Sequence, residues 1–307
     1  MTPSVAATSG APAVPRVRAG SVELSRVAYG TWRMAGDPDC DSPALYRRKI
    51  HALIEAGVTT FDLADLYGDY QNESRFGASA SADRALRQRI QIVSKCGIKQ
   101  PGAANPAYRV RHFDAGYQHV VASAEASLKH LSTDYLDLLL IHRPDLLTGA
   151  DETARALDDL VAAGKVRAVG VSNCTASQVA LLQSRLASPL SVHQFEVSVA
   201  APEALLDGRL DQCQQHRICP MVYSPLGGRV IFGEAADDAT RRTIQEVASR
   251  MGVGLDVLAL AWVLALPTRP LVVLGSHRLD RLLAQIRALD MPLDRQDWYA
   301  IWHAASA

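Results

Sequence analysis

Eight short apolar runs, each followed by a helical pattern, predict an α/β chain folded as a single (β/α)8 TIM barrel. Two further observations select that fold. Several runs, above all Leu136-Asp137-Leu138-Leu139-Leu140-Ile141, are almost continuously apolar, as strands covered on both faces must be. The competing doubly wound sheet would place G-x-G-x-x-G after its first strand, and no such motif is present. Gly252-Val253-Gly254 falls between two helical patterns and reads as a helix break.

In chain order, residues 1–15 are rich in Ala, Pro, Ser and Thr. They have neither a basic start nor a continuous apolar stretch, so they read as a loose N-terminal tail rather than a signal peptide, with the barrel over 16–307. Residues 17–24, with Ala19-Gly20 in the middle, form a candidate hairpin closing the bottom of the barrel. The strand runs are 26–31, 59–64, 91–96, 135–142, 166–172, 191–197, 221–224 and 271–274. Ser42-Pro43 is an N-cap with proline at the first helical position, and Gly57 is the matching stop. Apolar residues at Phe113, Tyr117, Val120, Ala124, Leu128 and Leu131 recur every three or four positions, which predicts a helix over 113–131. Further helices are read at 151–162, 176–185, 203–216, 240–251, 255–266, 278–287 and 295–304.

Composition narrows the function. The 307 residues are 48% hydrophobic and 21% charged, with mean hydropathy 0.00. Thirty-two basic side chains balance thirty-two acidic ones, at a sequence pI near 7.1, so a strongly basic nucleic-acid binder is not the default reading. A local cationic pocket remains compatible with that balance. The five cysteines, Cys40, Cys96, Cys174, Cys213 and Cys219, are odd in number and show no C-x-x-C or metal-ligand spacing. Free thiols in a reducing compartment follow, without a metal. The longest apolar run, 257–266, is too short to span a bilayer. The expectation is a cytoplasmic protein with neither membrane nor nucleic acid as partner.

In a barrel, chemistry sits at the carboxyl ends of the strands. The second run ends in Asp62-Leu63-Ala64-Asp65-Leu66-Tyr67-Gly68, the third in Ser94-Lys95 and the fourth in Ile141-His142. A lysine at a buried strand end needs a carboxylate, and Asp62 is the nearest candidate. Its ammonium beside a phenol would stabilise the phenolate and lower the pKa of Tyr67, readying that hydroxyl to protonate an alkoxide. His142 can hydrogen-bond the same oxygen. Such a set suits reduction of a carbonyl, with the hydride supplied by a cofactor. Taken singly, Asp62 could be a structural ion-pair partner, Tyr67 a loop aromatic and His142 a satisfied strand-end histidine; their joint placement across successive strands favours the site. Asp65 and Asp69 could be the paired carboxylates of a barrel glycosidase, but that reading leaves Lys95 and the arginines near Ser276 without a role. Ser172 lacks the second glycine of a G-x-S-x-G nucleophile elbow. His193 and Glu196 read as local packing or capping residues.

From Gly30 to Arg287 the chain resembles the aldo-keto reductases. Asp62-x-Ala-x-x-Tyr67-Gly68, Ser94-Lys95 and Ile141-His142 are similar to that family's catalytic tetrad, which implies catalytic roles for Asp62, Tyr67, Lys95 and His142. Gly30-Thr31-Trp32 resembles the first-strand loop, with Gly30 and Thr31 toward the cofactor and Trp32 over the substrate. Gly170-Val171-Ser172-Asn173 and Gln194 resemble the residues that hold the nicotinamide carboxamide. Tyr223-Ser224-Pro225-Leu226-Gly227-Gly228 resembles the aromatic stacked on the nicotinamide and the loop covering the pyrophosphate, implying Tyr223, Ser224, Leu226 and Gly228 as contacts. Gly275, Ser276, Arg278, Arg281 and Gln285 fall where family members bind the adenosine 2'-phosphate and adenine. The chain departs from many relatives in having Gly275 and Gly228 for lysine or serine, Arg278 for lysine, Gln285 for asparagine and Ala284 for an acid. Two arginines beside a serine favour NADPH/NADP+ over NADH.

The resemblance therefore implies an NADPH-dependent reductase of an aldehyde or ketone, taking a small-molecule carbonyl substrate and working as a monomer. It also admits a redox-sensing regulatory subunit on the same fold, or an NADP-dependent alcohol or sugar dehydrogenase running the reaction backwards. Substrate choice is expected to rest with loops 34–41, 97–110, 143–149 and 229–238.

Overall fold

Every barrel strand here is parallel to both of its neighbours, because a helical connection separates each from the next. A computed structural model describes residues 14–227, 232 and 238–306. A hairpin of β1 (Arg16–Ala19) and β2 (Val22–Ser25) precedes the first barrel strand, β3 (Val27–Gly30). Then follow α1 (Pro43–Glu55), β4 (Thr60–Asp62), and the short helices α2 (Tyr67–Tyr70), α3 (Asn72–Phe76) and α4 (Arg84–Arg87). Next come β5 (Gln91–Cys96), a small pair β6 (Ile98–Lys99) and β7 (His112–Phe113), α5 (Tyr117–His130), β8 (Leu138–Ile141), α6 (Ala150–Ala162), β9 (Val169–Ser172) and α7 (Ala176–Gln183). The chain continues through β10 (Leu190–Glu196), α8 (Arg209–His216), β11 (Cys219–Tyr223), α9 (Asp238–Met251), α10 (Leu255–Leu264), β12 (Leu271–Leu274), α11 (Leu279–Ile286) and α12 (Arg295–Ala305). The closed barrel runs β3-β4-β5-β8-β9-β10-β11-β12 and back to β3.

Two apolar layers hold this arrangement. Outward residues such as Tyr29, Phe61, Ile92, Leu139, Val171 and Phe195 pack beneath the helices. Inward residues, among them Ala28, Val93, Leu138, Leu140, Val192, Met221 and Val273, fill the barrel. Ala19, Val22 and Leu24 of the hairpin join that inner cluster, so the hairpin plugs the lower end as expected. Gly170 is needed for close approach: a Cβ there would lie 2.4 Å from the Val192 carbonyl oxygen and 2.6 Å from Leu140 Cδ2.

The eight predicted strands are the eight of the barrel. The structure corrects two local expectations. Helix α5 begins at Tyr117, not at Phe113, because Phe113 pairs with Ile98 in the β6–β7 ribbon and Gly116 ends the extended segment. The segment 203–216 is a 3-10 turn (Glu203–Leu205) and then α8, separated by Gly208 at φ 88°. The expected tail falls almost wholly outside the described residues, and so do Gly228 and most of loop 229–238. No single helix among the described residues is long and apolar enough to cross a membrane.

Candidate active site

Side chains alternate along a strand, so the inner core fixes which strand-end residues face the barrel axis. With Ala28, Val93, Leu140, Val192, Met221 and Val273 inward, the same parity turns Gly30, Lys95, His142, Gln194, Tyr223 and Gly275 inward at the upper rim. The register supports a common level: Gly30 lies opposite Asp62, and Gln194 opposite Ser172.

Lys95 is the hub of this layer. Its Nζ lies 2.8 and 2.9 Å from the two Asp62 carboxylate oxygens and donates to the Leu63 carbonyl at 2.7 Å and to the Tyr67 hydroxyl oxygen at 3.2 Å. Asp62 Oδ1 also accepts from Gln194 Nε2 at 2.9 Å. Burial opposes the Lys95 charge, but Asp62 and the Tyr67 oxygen outweigh it and hold the ammonium above the usual lysine range. Tyr67 shows the opposite balance. Burial raises its hydroxyl above the ordinary tyrosine value and exceeds the downward pull of Lys95, so the net shift is the reverse of the lowering expected from the lysine alone. The His142 ring meets the Tyr67 ring edge-to-face at 5.8 Å. Burial, then the charges of Lys95, Arg143 and Arg111, push His142 well below 6.5, and its buried Nδ1 has no partner among the described residues. At neutral pH the site thus presents a protonated phenol, a neutral imidazole and an ammonium.

The neighbouring residues form a braced frame. Thr31 uses both its backbone N–H and its hydroxyl to reach the Asp62 carbonyl, each at 3.0 Å. Asn173, in the left-handed region at φ 61°, donates to the His142 carbonyl and Ser172 Oγ and accepts from the Tyr223 hydroxyl at 2.7 Å. Ser224 and Gly227 close a tight turn after β11, with Leu226 half-buried within it. Trp32 is 64% exposed at the rim, with the Arg33 guanidinium 5.7 Å from its ring. Ser276 Oγ accepts from the Arg278 N–H, and Arg278 and Arg281 are exposed beside it. Gln285 is set apart: it is buried, and its amide donates to Asp256 at 3.0 Å. His193 points the other way, packed edge-to-face on Phe195, and burial lowers it to about 4.

Several supporting residues escaped the sequence reading. Asn72 donates to the Thr31 carbonyl at 2.8 Å, and Glu73 accepts from Ser94 at 2.6 Å; both lie buried on α3 under the tetrad. Buried Lys49 pairs with Asp37 and donates to the His277 carbonyl at 2.7 Å, while the His277 ring meets the Arg33 carbonyl at 2.6 Å. These contacts join the loop carrying Trp32 to the loop carrying Ser276 and Arg278. One signal was readable: Lys49 lies on the same face of α1 as Tyr46, Ile50 and Leu53, where a lone charge needs a partner.

The model for the aldo/keto reductase family matches residues 26–305. The chain is 43% identical over 284 residues to the 6-dehydroglucose reductase of Agrobacterium fabrum, covering 92% of this chain and 95% of that protein. It is also 43% identical over 288 residues to the oxidoreductase YdhF of Escherichia coli, covering 92% and 94%. A crystal structure of a thermostable aldo-keto reductase with the inhibitor epalrestat superimposes with TM-score 0.79 at 26% identity, over 94% of this chain and 99% of that one.

Proposed function

We propose a specific chemistry for this chain, which belongs to the aldo/keto reductase family and is an oxidoreductase: NADPH-dependent reduction of an aldehyde or ketone, with Tyr67 as the proton donor. The observation that carries the reading is the Lys95 ammonium bridging Asp62 and the Tyr67 hydroxyl inside the barrel rim. A cytoplasmic setting fits five buried, free thiols.

The donor set at the rim suits a nicotinamide carboxamide, which offers one acceptor and one donor group. Ser172 Oγ accepts from Asn173, leaving its own proton free to donate, and Gln194 engages Asp62 through its amide nitrogen, leaving its carbonyl free to accept. Tyr223, its hydroxyl tied to Asn173, offers a fixed aromatic face. Ser276, Arg281 and Arg278, whose guanidinium also pairs with Asp280, supply hydroxyl and guanidinium donors for a 2'-phosphate, with Gly30, Thr31, Ser224, Leu226 and Gly275 along the remaining length. Gln285, bound to Asp256, braces α11 behind this face. When bound there, NADPH supplies the hydride that no side chain can.

The residues divide the remaining work. His142, kept neutral, donates one N–H to the substrate carbonyl oxygen and orients it. Tyr67 stays protonated in the resting site and passes its proton to that oxygen as negative charge develops. The Lys95 ammonium stabilises the phenolate so formed, and Asp62 holds Lys95 in place. Trp32 walls the entrance; Val110, before β7, and Leu146 and Leu147, after β8, are exposed as well.

The substrate class that fits best is a sugar aldehyde, on the strength of the likeness to 6-dehydroglucose reductases from Agrobacterium fabrum and, at 34% identity, Novosphingobium aromaticivorans. In the test, Tyr67→Phe keeps NADPH affinity, read by tryptophan fluorescence, and loses turnover of a reactive aldehyde. Unchanged turnover would overturn the mechanism, and a preference for simple aliphatic aldehydes over 6-dehydroglucose would overturn the substrate assignment alone.

A further inference from the structure

We propose that the underside of the barrel carries a second binding site, for a small phosphate-bearing anion. A cavity of about 420 Å³ opens there, at the end away from the tetrad, between β1, the end of α8 and the turn leading into β12. Arg16, Arg18, Arg217 and Arg269 line it, and among the described residues no aspartate or glutamate does. In a chain whose charges sum to zero, that is a local excess of four positive charges. None of the four is in an ion pair among the described residues, whereas Arg47, Arg87, Arg167, Arg185, Arg209, Arg250 and Arg278 all are.

The hydrogen bonds point the same way. Arg16 and Arg18 are partly engaged, with Gln91 at 2.8 Å and the Gly20 carbonyl at 3.0 Å. Arg217 and Arg269 make no side-chain hydrogen bond among the described residues. Thr268, also in the wall, has a buried hydroxyl oxygen without a partner among the described residues. Behind the wall Arg26 donates to the Leu264 and Pro270 carbonyls, and the nearby Arg269 charge adds to burial in lowering its proton affinity. Repulsion among these guanidinium groups is relieved by an anion, and paired planar donors with a hydroxyl match phosphate oxygens. A concave site lined by one sign of charge concentrates small counter-ions, and this volume suits a polyphosphate or a nucleotide rather than an extended nucleic acid.

The site is separate from the proposed NADPH site, so the two can fail independently. The experiment is calorimetric titration of the whole protein at low salt with tripolyphosphate and with ATP, each with and without NADP+. The expected result is one equivalent bound, unaffected by NADP+ and weakening as salt is raised. Tighter binding of ATP assigns a nucleotide, and equal binding a free polyphosphate. Arg217 and Arg269 both have left-handed backbones, at φ 55° and 50°, which asparagine tolerates. The R217N/R269N variant is therefore expected to fold and to bind roughly tenfold or more weakly, with carbonyl turnover unchanged. Arg18→Gln, on an exposed strand position, is the second variant and is expected to weaken binding in the same direction. Absence of binding, competition by NADP+, or wild-type affinity in these variants overturns the proposal.

Discussion

Replacing Asp65 by asparagine tests how the buried floor of the site depends on protonation. Asp65 stands two residues before Tyr67; its residue surface is only half-buried, but its Oδ1 is sealed from solvent without a partner among the described residues. Burial first, and then Glu73, raise its carboxyl from 3.8 to about 8, with only partial relief from the Leu66 N–H and Lys95. The folded chain therefore holds this proton more tightly than the unfolded chain does. The contribution of the group is full below about pH 4 and is lost as pH climbs towards 8. Every tenfold gain in proton affinity is worth about 1.4 kcal/mol, so the unscreened ceiling is about 6 kcal/mol, and the residual exposure of Asp65 reduces that to roughly 2–3 kcal/mol. Asparagine has no such proton. Asp65→Asn should differ least from the wild type at the acid end and gain on it steadily as pH rises, levelling off above pH 8. Urea unfolding followed by tryptophan fluorescence between about pH 5 and pH 9 measures the difference. Parallel stability curves for the two proteins would refute the reasoning, as would a gain largest in acid. Glu73→Gln, by removing the second-largest cause, should move the plateau to lower pH.

Three further outcomes are expected. Lys95→Met leaves the Asp62 carboxylate buried without its cation, so stability should fall by about 3–5 kcal/mol and turnover by roughly two to four orders of magnitude; turnover within tenfold of wild type would remove Lys95 from the mechanism. Lys49→Met unlinks Asp37 from the His277 carbonyl, so KM for NADPH should rise with kcat nearly retained and amide exchange should quicken in the loop after β3; equal loss of both parameters would point to general unfolding instead. Gly170→Ala drives a methyl group into the Val192 carbonyl and Leu140, and overpacking of about 1–3 kcal/mol should lower Tm by several degrees; an unchanged Tm would show that β9 and β10 can part freely.

The barrel and the inner face of its rim were legible in the sequence for one physical reason. Strand periodicity is two, and each run carries enough core residues to set its parity. Once Leu138 and Leu140 face inward, so does His142, and once Val93 does, so does Lys95. That parity brings Lys95 and His142 to the rim, while the joint catalytic roles of Asp62, Tyr67, Lys95 and His142 were implied by the resemblance of their motifs to the aldo-keto reductases. Short-range capping signals were equally plain, as at Ser42, whose side chain accepts from Leu45.

What the sequence left open depends on groups distant along the chain or on how much water reaches them. The β6–β7 ribbon took Phe113 from its predicted helix, because pairing with Ile98 outweighed a helical pattern that continued through it. The contact of Lys49 with His277 joins residues 228 positions apart. Tyr67 shifts upward because burial exceeds the effect of a lysine correctly placed beside it, and depth of burial is not written in local sequence. The gathering of Arg16, Arg18, Arg217 and Arg269 around one cavity, in a chain of zero net charge, was decided by tertiary structure alone, because composition counts charges and only folding sets the distances between them.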